Sequence, residues 1–133
     1  MEGILMSYIA VGVAGVIGAL LRYYAGSFVH SWWYYSFPLG TLIINLIGCF
    51  VLSWFTFRMV HVKMPQWFRV GFGTGLIGSF TTFSTFSVET VELFQKQLWW
   101  TAITYVILSL VGGLFMTFVG SLTASSRLRV RGR

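Results

Sequence analysis

At 133 residues, 56% hydrophobic and only 9% charged, the chain is too short to hide its apolar surface in a water-soluble core. Globular domains carry about 25% charged residues, so this composition, with a mean hydropathy of +0.79, expects lipid as its solvent. The net charge of +6 is then a membrane-surface signal and not a nucleic-acid one.

Uncharged intervals divide the chain. The first runs from Ile4 to Leu21 and closes at Arg22. The second, Tyr23 to Phe57, splits at Trp32, Trp33, Tyr34, Tyr35 and Pro38, because aromatic rings favour the membrane interface. A third lies between Arg69 and Glu89, and a fourth from Leu98 to Ser126. Each holds the roughly 20 residues a spanning helix needs. The expectation is an all-α membrane protein, one transmembrane domain over residues 1–133. Its helices are placed near 4–29, 38–60, 67–95 and 98–124, followed by a basic tail over 125–133. No segment shows the alternation of a membrane β-barrel. The N-terminal run lacks the basic flank of a signal peptide, so the first span is expected to be retained. Cys49 is the single cysteine, which excludes an intramolecular disulfide and a cysteine metal cage. His30 and His61, near span ends, read as interfacial side chains and not as ligands.

Gly12, Gly15 and Gly18 form a small-residue stripe that lets helices approach closely. Gly112, Gly113 and Gly120 do the same in the last span. Arg22 either snorkels to the headgroups or holds positive potential beside an anion path inside the membrane. In the second span Thr41 and Asn45 lie four apart, on one face, with Gly48 a turn later. They either bind helix to helix or hydrogen-bond an ion losing its water.

The third span carries Gly71, Gly73, Gly75 and Gly78, then hydroxyls at Ser79, Thr81, Thr82, Ser84, Thr85 and Ser87. A continuous flexible helix is one reading. The favoured one is a helix broken near 78–82, since such breaks persist at membrane depth only where the backbone is buried or lines a cavity. Phe83 and Phe86 share a face with Glu89. The pair either packs or presents ring edges, which carry partial positive charge, to a small anion. Tyr105 and Ser109, at i and i+4, are either helix glue or a second set of donors.

Gly78–Glu89 resembles the Gly-Gly-x-Thr-Thr-Phe-Ser-Thr-Phe-Ser-x-Glu signature of the small four-span fluoride channel family (Fluc, also called CrcB). Gly18–Arg22, Gly40–Gly48 and the Tyr105/Ser109 pair match in the right order, one per span, so the resemblance covers essentially the whole chain. Ser79 replaces the usual second glycine, and Ser53 stands where many members have another. The resemblance implies an antiparallel dual-topology-type dimer with two pores, each built from both subunits. It implies a fluoride path along Phe83 and Phe86, with Asn45 nearby and Tyr105 and Ser109 in a polar track. Thr41 and Thr82 are assigned to the same path, and Arg22 to its electrostatics. A central structural Na⁺ is implied on the backbone carbonyls of Gly78 and Thr81.

The implied activity is passive fluoride efflux that protects the cell, with no bond made or broken and no catalytic constellation. A proton-coupled exporter of the small multidrug resistance type needs a titratable carboxylate in its first span, which holds only Arg22. A non-conducting assembly subunit is the other rival. Four spans put both termini and the 58–69 loop on one side of the membrane. Arg58, Lys63, Arg69, Arg127, Arg129, Arg131 and Arg133 lie there, against Lys96 opposite. The positive-inside rule then predicts cytoplasmic termini in a plasma-membrane protein. So one-sided a charge bias suits a partner chain of opposite bias better than a homodimer.

Overall fold

The structure is a computed structural model that describes residues 2–60 and 62–131, with side-chain surroundings through Ser125. His61 and the side chains of the tail arginines lie outside the described residues. No strand occurs among the described residues; the chain is all helix and short connections.

Helix α1 spans Glu2–His30, α2 Leu39–Met59 and α6 Trp99–Arg131. These three contain windows long and apolar enough to cross a membrane. Between α2 and α6 the expected 67–95 helix is a series of pieces. They are α3 (Gln66–Val70), a wide π-helical segment (Gly71–Ile77), α4 (Gly78–Phe80) and α5 (Phe83–Gln95). The break is narrower than residues 78–82: Gly78 through Phe80 stay helical, and only Thr81 (ψ 159°) and Thr82 (φ −147°) are extended. Helix α6 also continues past residue 124, so the basic tail extends the helix axis.

Contacts fix the directions. Gly26 and Gly40 face each other across α1 and α2, which therefore run antiparallel. Successive residues of α1 meet successive residues of the π segment: Ala10 lies by Gly71, Val11 by Gly75, and Gly18 by Leu76. Leu46, Cys49 and Ser53 of α2 likewise meet Gly112, Gly113 and Gly120 of α6. The chain thus passes up, down, up and down, and both ends of the chain lie at the same end of the bundle.

The small residues work where backbones nearly touch. A Cβ on Gly75 would lie 2.8 Å from the Val11 carbonyl oxygen, and one on Gly120 2.5 Å from that of Phe50. Ser53 then ties α2 to α6 by donating to the Thr117 carbonyl at 2.6 Å. Ser79 costs the backbone nothing, since among the described residues only Gln97 has positive φ. Gln97 closes α5: its N–H bonds to Phe94 and that of Leu98 reaches back to Leu93, a Schellman turn. Aromatic residues gather at this end of the bundle, where the Trp33 indole donates to the Phe37 carbonyl at 2.8 Å.

Candidate ion pathway

The site grows from the break in the third span. Extended backbone at Thr81 and Thr82 removes helical partners from polar groups inside an apolar bundle, where unpaired groups are costly. Asn45 of α2 repairs part of this. Its Oδ1 accepts from the Thr82 N–H at 2.9 Å, and its Nδ2 donates to the Thr82 carbonyl at 3.0 Å. The Thr82 hydroxyl caps α5, accepting from the Thr85 N–H at 3.1 Å. Thr81 turns its hydroxyl back to the Ile77 carbonyl at 3.0 Å.

Gly48 admits this arrangement, because a Cβ there would overlap the Thr81 methyl group. Since the Thr82 N–H goes to Asn45, the Gly78 carbonyl loses its helical donor. The Thr81 carbonyl lies in extended backbone. Both are oxygen donors of the hard kind that a cation takes, so their chemistry is compatible with the cation that the family resemblance implies.

Beside the break lies a cavity of about 310 Å³ that brings together Asn45, Thr82, Phe83, Phe86 and Ser109. The Ser109 hydroxyl oxygen is buried and has no hydrogen-bond partner. Asn45 spends one of its two amide N–H donors on Thr82 and keeps the other. The Phe83 and Phe86 rings stand 5.9 Å apart, tilted by 36°. Phe83 is 80% exposed, so the cavity is open on that side.

Thr41 and Tyr105 are placed elsewhere, on a carboxylate that sequence reasoning left out of the path. Thr41 donates to Glu89 Oε1 at 2.8 Å and Tyr105 donates to Oε2 at 2.7 Å. Tyr105 is fully buried, and its ring packs on Phe86 at 5.2 Å and edge-on against Phe37 at 5.6 Å. Glu89 lines a second cavity of about 530 Å³ at the bundle end, together with Thr41, His30, Glu92 and Lys96. Phe86 and Glu89 sit one turn apart on α5, so one face of that helix serves both cavities. The shared face was visible in the sequence; the convergence of two donors from α2 and α6 was not. Arg22, half-buried, lines neither cavity and makes no ion pair among the described residues.

The arrangement offers donors, ring edges and close helices in a low-dielectric setting, which suits transfer of a small anion. Among the described residues no group of three or more metal-ligating side chains occurs.

Residues 9–121 match the family of CrcB-like proteins (Camphor Resistance, CrcB). The chain is 52% identical to "Fluoride-specific ion channel FluC 1" of Bacillus cereus over 114 residues, 85% of this chain and 83% of that protein. It is 47% identical to "Fluoride-specific ion channel FluC 2" of Geobacillus kaustophilus over 86% of this chain and 90% of the relative. It is 37% identical to "Fluoride-specific ion channel FluC" of Legionella pneumophila over 88% of each. With near-complete coverage of the relatives and a family match across all its helices, the chain belongs to the CrcB family of membrane proteins.

Proposed function

We propose that this protein is a fluoride-selective ion channel that lets fluoride leave the cell passively and so protects it from fluoride toxicity. The observation that carries the reading is the cavity at the third-span break. There the unbonded Ser109 hydroxyl and the spare Asn45 N–H meet the rings of Phe83 and Phe86. Fluoride is small and strongly hydrated, so a pore must replace its water with donors; larger halides fit poorly between close helices. Ring edges favour the ion electrostatically without holding it.

Thr41, Glu89 and Tyr105 form the next station toward the bundle end. The carboxylate already takes both hydroxyls, so a passing anion shares or displaces them. Arg22 adds positive potential from α1, and a Na⁺ on the Gly78 and Thr81 carbonyls would add more at the break.

An antiparallel dimer is part of this reading. The open wall at Phe83 supports it, since a second chain would close the cavity there. The basic end, holding Arg58, Lys63 and Arg69 with the tail arginines, supports cytoplasmic termini in the plasma membrane. It also favours a homologous partner of opposite charge bias over a second copy.

The test is expression in cells that lack their own fluoride export. Growth in fluoride medium should recover with this chain, or with this chain and its homologous partner. Growth that stays fluoride-sensitive with either, despite protein in the membrane, contradicts the reading.

A further inference from the structure

The cavity of about 530 Å³ at Glu89 ends the proposed fluoride path, at the end of the bundle away from the α2–α3 connection. Thr41 and Leu93, both buried, line it together with Glu89. Three further groups that can carry charge line it, and all three are exposed. They are His30, the last residue of α1, and Glu92 and Lys96 of α5. A conducting path needs an opening to water here, and these groups set the potential that a fluoride ion meets in it.

Lys96 and Glu92 lie 3.9 Å apart, so their charges largely offset each other. Glu89 accepts from Thr41 and Tyr105 and has no cation paired with it among the described residues. An ionised carboxylate there repels an anion. His30 lines the same cavity, makes no ion pair among the described residues, and can offset that charge. The other lining segments do not compete with it. Pro38 to Thr41 of α2 carry no titratable group, and Tyr35 brings a phenol, which keeps its proton near neutral pH. Arg22, two turns back on α1, lies outside the cavity. Histidine is the side chain that changes charge between about pH 5 and 8. Protonation of His30 takes the mouth from negative to neutral when Glu89 is ionised, and from neutral to positive when Glu89 holds a proton. Either way a fluoride ion enters more readily.

We infer that His30 sets the charge of this mouth and makes fluoride conduction rise as the pH there falls. It acts through its field and not by ligating the ion. The inference rests on the channel reading and adds a residue to it. It also suits the chemistry of the load. Hydrogen fluoride, the form that crosses a bilayer uncharged, grows with acidity, so an acid-responsive mouth conducts most when most fluoride enters.

The test is fluoride efflux from liposomes at low salt, with the same pH on both sides, at about pH 5.5 and about pH 7.5. Leak of hydrogen fluoride moves no charge, so efflux without valinomycin is subtracted and the valinomycin-dependent part is compared. The wild type should conduct about threefold faster at the acid pH, the effect of one unit charge beside an open cleft. His30→Gln should hold the slow rate and His30→Arg the fast rate, each with little pH dependence. High salt should flatten the response of the wild type. A wild type whose flux ignores pH overturns the inference and leaves the channel reading intact. So does a pH response that survives in both His30 variants, which would assign it to Glu89. Absence of fluoride efflux at both pH values overturns the channel reading and this inference with it.

Discussion

Asn45 and Ser109 share a cavity but hold different positions in its chemistry. Asn45 is committed to the Thr82 backbone through two hydrogen bonds, and Ser109 is committed to nothing. Asn45→Ala strands an N–H and a carbonyl, each costing about 1–3 kcal/mol when buried and unpaired. Thermal unfolding in detergent should therefore show a large loss of stability. Ser109→Ala removes a hydroxyl with no partner, so stability should stay within about 0.5 kcal/mol while fluoride flux falls. Flux unchanged in Ser109→Ala would remove Ser109 from the path.

The Glu89 carboxylate invites a double-mutant cycle with Tyr105→Phe and Glu89→Gln. A hydrogen bond to a charged group should give a coupling of about 1–3 kcal/mol, and additivity would show the 2.7 Å contact to be energetically idle. Phe83→Ile and Phe86→Ile roughly keep volume and lose ring polarity. Both variants should fold and conduct less fluoride; equal flux would make the rings plain packing. The spacing of Phe83, Phe86 and Glu89 puts these three on one helix face. Their partners were hidden, because partners come from other helices and depend on register that no single span contains.

Among the elements, the first and last helices were legible from uncharged runs, and the second from a run divided at its aromatic cluster. The third was legible as interrupted, since four glycines and six hydroxyls oppose a plain lipid helix. Where it breaks was not. The glycines sit in a π segment that remains helical, and the chain opens only at two threonines that Asn45 and the α5 cap can satisfy. Gly71 and Gly75 report close approach to α1, not the break. Gly18→Ala tests this: its Cβ would overlap the Leu76 carbonyl, which as backbone cannot step aside. The substitution should lower stability by about 1–3 kcal/mol, whereas Gly12→Ala, with nothing within 4 Å, should be neutral. Equal effects would mean that the α1–π contact is looser than described.

For the whole molecule, the proposed direction of insertion and the proposed assembly rest on charge and on what the fold leaves open. The start of α1, the described end of α6 and the α2–α3 connection share one end of the bundle, where Arg58, Lys63 and Arg69 also lie. Reporter fusions at the C-terminus should give cytoplasmic signal only; equal signals on both faces, with flux from this chain alone, would establish a homodimer of dual topology. The proposed assembly is the least legible feature, because a surface for a partner and a surface for lipid are both apolar. Phe83 illustrates the difficulty: an exposed ring on a spanning helix reads as lipid-facing until the cavity behind it is seen.

Fluoride conduction itself is measured in liposomes. Purified protein, with its homologous partner where one is required, is reconstituted with fluoride trapped inside. Efflux is followed by a fluoride electrode after valinomycin relieves the charge imbalance. A fluoride channel should give rapid fluoride loss that depends on valinomycin, needs no imposed proton gradient, and has no comparable chloride flux. Chloride leaving as fast as fluoride, or fluoride moving only with a proton gradient, would contradict it.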